Sequence, residues 1–318
     1  MNEATRANIR RKSLYVDRPQ LHEGKPLPSW IDLSLTELCN RSAGSARPCS
    51  FCPRIDPELY PNQRLHMSLA LVEKIAGELR AIAYQGVVVL CGFGEPMLHP
   101  QLVRIVQALH GIRVEIVTNG DFLTVDKIKA LKAAGLAHFV VSMYDGQHQA
   151  LRFTGMFGDA GCTEDDYSLR DRWHAEADDF GLKLTNRAGT VTAGHQPDVD
   201  QTRVCQYLAY QLTVDWNGDV LLCAQDWTKR TRFGNLTLQT VLEVWHSVPM
   251  HKRRMRLLEG RRTDSPCNDC NTDGCMHGHN HVPHWRKKAE GALGRARGEP
   301  DRDNTDAEPA LAASGAPQ

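Results

Sequence analysis

The sequence has no excess of charge of either sign, because 38 lysines and arginines are balanced by 38 aspartates and glutamates. A chain without net charge has no global field that would draw it to nucleic acid or to an acidic membrane surface. It also lacks any apolar run near the roughly 18 residues that a membrane-spanning helix needs. We therefore expect no nucleic-acid partner and no membrane partner.

The N-terminus lacks the pattern of a secretory signal. Arg6, Arg10, Arg11 and Lys12 are present, but no apolar stretch follows them, whereas a signal peptide requires one. The expected location is therefore the cytoplasm, a reducing compartment in which grouped cysteines favour metal over disulfides. Five disulfides in a secreted protein are the alternative interpretation of the ten cysteines.

Cysteine is abundant in this chain, and eight of the ten cysteines fall into two sets. The first set is Cys39, Cys49 and Cys52, and the second is Cys205, Cys223, Cys267, Cys270 and Cys275. Three thiolates can hold a four-iron cluster and leave one iron open to a further ligand. Zinc is the alternative at both places: a zinc knuckle with His66 or another residue as fourth ligand in the first set, and a zinc ribbon in the second.

Between the two sets, short apolar strands alternate with helices. Strands are predicted at 31–35, 87–90, 114–117, 139–142 and 182–184, and helices at 68–79, 102–109, 125–134 and 173–178. Polar residues follow each strand, as at the C-terminal face of a parallel (β/α) barrel. The predicted class is therefore α/β, with a polar N-terminal arm (1–27), a barrel (28–200), an auxiliary region (201–285) and a disordered tail (286–318).

The auxiliary region has its own pattern. Asn217-Gly218 between two alternating runs predicts a β-hairpin, and a helix is expected over 238–258. The histidines at 277–284 are interpreted as a solvated, flexible segment, since short His-rich tracts by themselves are weak evidence for a metal site.

The first half of the chain resembles the radical S-adenosylmethionine (SAM) superfamily. Phe51 matches the position that packs near the adenine of SAM, and Gly92-Phe93-Gly94-Glu95-Pro96 looks like the motif that binds the methionine amino group. The resemblance assigns Cys39, Cys49 and Cys52 to a [4Fe–4S] cluster and adds a list of cofactor-binding residues: Phe51, Gly92, Gly94, Glu95, Pro96, Thr118, Asn119 and Ser142. It implies a partial (β/α)6-type barrel and SAM as cosubstrate.

The second half resembles the SPASM extension of that superfamily, or its shorter twitch form. The resemblance implies a small C-terminal domain in which Cys205, Cys223, Cys267 and Cys270 hold one auxiliary [4Fe–4S] cluster. Two clusters are thus expected in all. Cys275 is left outside the ligand set.

The layout is similar to members of the family that modify aminocyclitols and aminoglycosides. We expect a 5′-deoxyadenosyl radical to abstract a substrate hydrogen and, in the favoured hypothesis, a carbon of an amino sugar to be epimerised with Cys275 as hydrogen donor. The alternatives are dehydrogenation of a secondary alcohol in an aminocyclitol or sugar, maturation of a ribosomal peptide, and a zinc-stabilised binding module. Asp145 and residues 164–166 are candidates for substrate ammonium groups, and Arg152 or Arg187 for the reacting hydroxyl. The expected electron donor is a flavodoxin or ferredoxin.

Overall fold

The computed structural model describes residues 3–49, 51–172, 185–192 and 197–287 of the 318-residue chain. The predicted helix at 173–178, the strand at 182–184 and nearly all of the predicted disordered tail lie outside these residues. Within the described ranges, no helix combines the length and the apolar character that crossing a bilayer requires.

Helices and strands alternate through the first two thirds of the chain. The helices are α1 (Glu3–Val16), α2 (Leu69–Ala81), α3 (Leu102–Ala108), α4 (Val125–Ala133), α5 (His148–Asp159), α6 (Tyr207–Tyr210), α7 (Val241–Trp245) and α8 (Val248–Leu258). The strands are β1 (Leu21–His22), β2 (Lys25–Pro26), β3 (Trp30–Ser34), β4 (Val87–Cys91), β5 (Arg113–Thr118), β6 (Leu136–Met143), β7 (Tyr167–Asp171), β8 (Gln211–Val214), β9 (Asp219–Leu221) and β10 (Arg232–Asn235).

Within the described part of the chain, the core is an eight-stranded sheet in the order β10-β9-β8-β3-β4-β5-β6-β7. The six strands from β8 to β7 run parallel, and β9 and β10 are antiparallel additions at one edge. This parallel sheet with crossover helices confirms the predicted α/β class and its partial-barrel architecture.

The confirmed elements follow from local sequence. The residues of β4 from Val87 to Leu90 are all buried, as expected for a strand covered on both faces. Ser68 accepts a hydrogen bond from the Leu71 amide and thereby begins α2, and Thr124 does the same for α4. Among the elements missed by the sequence analysis are α5 and β7. The apolar pattern of β7 is interrupted because Arg170 lines the cavity.

The predicted hairpin is present, and it extends the barrel sheet. β8 and β9 pair antiparallel, while β8 also pairs in parallel with β3, Trp30 opposite Gln211. The sheet therefore continues across the predicted boundary near residue 200 and brings the region of the second cysteine set against the barrel.

The single helix predicted over 238–258 is wrong. The structure has two helices there, α7 and α8, because Ser247 caps a new helix whose first turn contains Pro249. Proline lacks an amide hydrogen and fits the start of a helix but not its interior.

The segment predicted as a polar N-terminal arm contains α1, which packs beside β7. Val16 at its end is fully buried with Trp30 and Tyr210. The histidine segment, predicted to be solvated, holds this helix: His281 is fully buried with Nε2 2.6 Å from the carbonyl oxygen of Val16. The prediction of a solvated segment is wrong for His281. Its ring can be buried because its nitrogen bonds the Val16 carbonyl, which lies at the end of α1 and has no partner within the helix.

Candidate active site and auxiliary cluster site

A cavity of about 380 Å³ opens inside the barrel at the C-terminal ends of the parallel strands. All three cysteines of the first set line it, together with seven of the eight predicted cofactor-binding residues: Phe51, Gly92, Gly94, Glu95, Thr118, Asn119 and Ser142. The eighth, Pro96, is buried directly after Glu95, where it begins a short 3-10 helix (Pro96–Leu98). The sequence-predicted site is thus brought together in one place.

The first cysteine set lies on the loop after β3. The Cys52 amide donates to the Cys49 carbonyl at 3.0 Å, and the Cys39 amide donates to Asn62 Oδ1 at 2.8 Å. All three thiols are free, and burial raises the pKa of Cys39 to about 11. The thiols need a bound cationic group to become thiolates at neutral pH. Three thiols on one loop that face a single cavity fit a four-iron cluster with one iron left open.

Glu95 lies on the wall of the cavity beside this loop. Its carboxylate accepts hydrogen bonds from Thr118 Oγ1 at 2.6 Å, the Asn119 amide at 2.8 Å and the Met97 amide at 3.0 Å. Burial nevertheless raises the pKa of Glu95 to about 7. A buried carboxylate held in this way is a good partner for an ammonium group.

The two glycines before Glu95 permit close backbone packing. Gly92 has a φ of +115°, and a Cβ there would overlap Ser34. A Cβ on Gly94 would overlap the carbonyl oxygens of Thr36 and Leu38. The glycines therefore let the motif lie directly against β3 and the start of the cysteine loop, which sets the position of Glu95.

Aromatic rings form another wall. Phe51 and Tyr144 stack with centroids 5.8 Å apart and planes inclined by 27°. The Arg41 guanidinium lies 5.0 Å from the Tyr144 ring and bridges Asp121 and Asp145. This network fixes the loops around the stacked rings of Phe51 and Tyr144. It also occupies Asp145, so the prediction that this carboxylate meets a substrate ammonium is not supported.

The sequence analysis missed a group of polar residues deeper in the cavity. They come from α1, β3, β7, β8 and the loops near 187 and 225: Asn8, Arg11, Lys12, Asp32, Arg170, Arg172, Gln211, Thr213 and Gln225. Lys12 Nζ lies 4.5 Å from the Trp30 ring centroid, and Asp32 accepts from Trp30 Nε1 at 2.8 Å. No local sequence signal marks them, since the topology alone brings α1 and β7 to the same interior.

The four predicted ligands of the auxiliary cluster line a second, smaller cavity: Cys205, Cys223, Cys267 and Cys270. Burial, with smaller contributions from neighbouring thiols, raises the pKa of Cys205 to about 11. Gly274 has a φ of +75°, and a Cβ there would lie 2.8 Å from Cys205 Sγ. Four thiols that face one buried space fit a fully ligated [4Fe–4S] cluster.

The remaining cysteines lie elsewhere. Cys275 lines neither cavity: its thiol is exposed and donates to the Val204 carbonyl oxygen at 3.1 Å. Cys91 lines the barrel cavity, with Sγ 3.5 Å from Asp32 Oδ1. Arg152 is exposed on α5, outside the cavity, whereas Arg187 lines it.

The two cavities adjoin. Tyr207 and Gln225 line both of them. These two side chains therefore lie between the barrel cavity and the cavity of the second cysteine set. Among the described residues, no three His, Cys, Asp or Glu side chains converge closely enough to hold a single metal ion.

Fold and site together define a radical SAM protein with an auxiliary iron–sulfur domain. The profile of the radical SAM superfamily matches residues 33–159, and that of the SPASM iron–sulfur cluster-binding domain matches residues 205–271. The chain belongs to the radical SAM superfamily and carries a SPASM domain. Its cofactors are SAM and two [4Fe–4S] clusters. These domains do not support the zinc interpretations.

Individual relatives refine this assignment. The chain is 26% identical over 250 residues to the S-adenosyl-L-methionine-dependent 2-deoxy-scyllo-inosamine dehydrogenase of Niallia circulans, which covers 76% of this chain and 92% of that protein. It is 35% identical over 122 residues to the GTP 3′,8-cyclase of Aquifex aeolicus, 36% of this chain and 34% of the cyclase. The structure of BtrN in complex with AdoMet and 2-DOIA has the same fold, with a TM-score of 0.65, 23% identity and coverage of 80% of this chain and 98% of BtrN.

Proposed function

We propose that the chain is a radical SAM dehydrogenase that oxidises a secondary alcohol of a small cyclic polyol, an aminocyclitol or a sugar, to a ketone. When bound, SAM and the first cluster supply a 5′-deoxyadenosyl radical, and the auxiliary cluster supplies an electron acceptor. The similarity to 2-deoxy-scyllo-inosamine dehydrogenase over 92% of that protein's length supports this reaction class.

The adjoining cavities carry the proposal. Dehydrogenation removes a hydrogen atom, a proton and an electron from one carbinol, so the substrate must lie close to an electron acceptor. The shared wall of Tyr207 and Gln225 gives that proximity. Epimerisation would require a hydrogen donor in the barrel cavity. The exposed thiol of Cys275, the donor expected from the sequence, lies outside its lining, and the Cys91 thiol, which does line the cavity, donates to Asp32 Oδ1 at 3.5 Å. The oxidative alternative is therefore favoured over the epimerase hypothesis.

The proton must also leave the substrate, and we assign this role to Lys12. Burial lowers the pKa of the Lys12 ammonium, and burial raises the pKa of Asp32 beside it. A lysine with a lowered pKa is more often unprotonated than a solvated lysine, and is therefore a better candidate for a general base. Phe51, Glu95, Thr118, Asn119 and Ser142 are proposed to position SAM. We further propose that the enzyme works in the cytoplasm and receives electrons from a flavodoxin or ferredoxin.

The test uses the full chain reconstituted anaerobically with iron and sulfide and reduced in the presence of SAM. Candidate polyols with amino, neutral and anionic substituents are supplied in turn, and 5′-deoxyadenosine and ketone are measured. Ketone formed in a 1:1 ratio with 5′-deoxyadenosine is expected for at least one polyol. An epimer without ketone from every reacting polyol would refute the dehydrogenase proposal and return the thiols to consideration.

A further inference from the structure

Positive side chains outnumber carboxylates in the lining of the barrel cavity. The basic residues are Arg11, Lys12, Arg41, Arg170, Arg172 and Arg187, and the carboxylates among the described lining residues are Asp32 and Glu95. Glu115 compensates Arg11, and Asp121 and Asp145 compensate Arg41. Lys12 and Asp32 form a pair in which burial favours the neutral form of both groups. Three arginines remain without an acidic partner in the described part of the chain.

The charge of Arg172 is repelled by the charges of both other arginines. Arg170 donates to Ser142 Oγ at 2.8 Å, and its Nε is buried without a hydrogen-bond acceptor. Arg187 makes a 3.4 Å contact from Nη1 to Gln225 Oε1. Burial lowers the pKa of Arg170, and the charge of Arg172 contributes to the same effect. Burial also lowers the pKa of Arg172, and there the charge of Arg187 contributes. Uncompensated guanidinium groups in a partly buried cavity are costly unless an anion binds among them.

The loop that carries Arg187 is held in an unfavourable backbone conformation. Arg187 and Ala188 have φ values of +47° and +52°, a region that costs a non-glycine residue about 1 kcal/mol or more. Asn271 in the SPASM domain anchors the loop, since its Oδ1 accepts from the Asn186 amide at 2.8 Å. The fold thus maintains backbone strain in the segment that delivers this guanidinium to the cavity.

The cosubstrate accounts for one of the three arginines. The methionine part of SAM carries one carboxylate, and Glu95 is proposed to take its ammonium group. Arg170, which already bonds the predicted cofactor residue Ser142, is placed to receive that carboxylate. Arg172 and Arg187 then have no assigned partner. Arg187 contacts Gln225, which lines both cavities. A substrate that passes an electron to the auxiliary site must lie near this shared wall.

We propose that the substrate carries an anionic group, a phosphate or a carboxylate, that Arg172 and Arg187 bind together. This inference rests on the proposed function and narrows its substrate to an acidic polyol. Arginine is suited to the role because its planar fork bonds two oxygens of one anion. The described lining offers no spare carboxylate for a substrate ammonium: Asp145 is paired with Arg41, and residues 164–166 lie outside the cavity. An aminocyclitol carries an ammonium group and would be expected to need such a carboxylate, so the cavity lining favours a substrate with an anionic group.

The experiment measures binding of matched probes to the reconstituted enzyme with SAM present, by calorimetry. The probes are glucose, glucosamine, glucose 6-phosphate and glucuronate, and the variants are Arg172→Gln, Arg187→Gln and the exposed control Arg152→Gln. We expect glucose 6-phosphate or glucuronate to bind at least about tenfold more tightly than glucose and glucosamine. Each cavity variant should lose about tenfold of that preference, the effect of one charge-assisted hydrogen bond, and the control should keep it.

Each other outcome overturns the proposal. Anionic probes that bind no better than glucose, or not at all, contradict the site. Loss of SAM affinity in Arg172→Gln or Arg187→Gln would assign that arginine to the cosubstrate. Iron content and 5′-deoxyadenosine formation without substrate, measured in every variant, report on folding and on the radical SAM reaction independently. The failure of the anionic site is therefore distinguishable from the failure of the dehydrogenase proposal, which is judged by the ketone.

Discussion

We predict that the carboxyl group of Glu95 makes SAM binding depend on pH. It is fully enclosed among Thr118, Asn119 and Met97, and burial raises its pKa to about 7. Only the ionised form attracts the ammonium group of the methionine moiety. Protonation of Glu95 below neutral pH therefore removes the binding-competent state, and the apparent dissociation constant for SAM rises as the pH falls.

The magnitude follows from the ionised fraction. With a pKa of about 7, about half of the Glu95 side chains are ionised at pH 7 and about one in eleven at pH 6. Because the apparent dissociation constant scales with the inverse of the competent fraction, it should rise about fivefold between these values and about tenfold per unit below pH 6. Substitution Glu95→Gln should weaken binding at pH 7.5 by about 1.5–3 kcal/mol, the range for a hydrogen bond to a charged group, and abolish the dependence.

The assay is equilibrium dialysis of radiolabelled SAM against the cluster-loaded enzyme between pH 5.5 and 7.5. The upper limit avoids titration of the SAM amino group, since α-amino groups lose their proton near pH 7.7–8.0. Glu73→Gln, on the α2 surface, is the matched control and should retain the dependence. An affinity for SAM that is constant over this range in the unmodified chain, or a pH profile that survives in Glu95→Gln, would refute the assignment of Glu95 to the ammonium group.

Three further predictions concern the auxiliary site, the base and the N-terminal helix. Cys223→Ala should lower the iron content from about eight to about four per chain and abolish ketone formation while 5′-deoxyadenosine still forms; unchanged iron would exclude Cys223 as a ligand. Lys12→Met should slow ketone formation by about 10²-fold or more while SAM affinity is retained, and an unchanged rate would remove Lys12 as the base. His281→Ala should lower the free energy of unfolding by about 1–3 kcal/mol, since the Val16 carbonyl loses its partner, whereas His110→Ala at an exposed position should change it little; urea titration measures both.

Local pattern was sufficient to predict the parallel strands and both cysteine sets. The apolar run at 87–90 and the Ser68 cap are short-range signals, and each has a direct structural consequence. The Cys-x2-Cys pairs and the glycine motif are likewise recognisable from a few consecutive residues. Their convergence at one end of the sheet follows from the parallel topology, because the carboxyl ends of parallel strands lie at the same edge.

The parts that were missed depend on contacts between distant segments. α1 is a polar helix whose role is visible only once Val16 packs on Tyr210 and His281 bonds its last turn. β7 has few apolar residues because Arg170 faces a cavity instead of a core. Cys275 lies five residues after Cys270 in sequence, but its exposed thiol bonds the Val204 carbonyl and lines neither cavity.

Isotope incorporation in deuterated water tests the central proposal, oxidation through the auxiliary site, most directly. The reconstituted enzyme is turned over with SAM and the polyol that binds most tightly, and the recovered polyol and product are analysed by mass spectrometry and NMR. The account predicts a ketone, equimolar with 5′-deoxyadenosine, and no solvent deuterium at the reacting carbon of recovered substrate. A product that keeps its hydroxyl, has inverted configuration and carries one deuterium on that carbon would contradict it and show that a thiol returns the hydrogen.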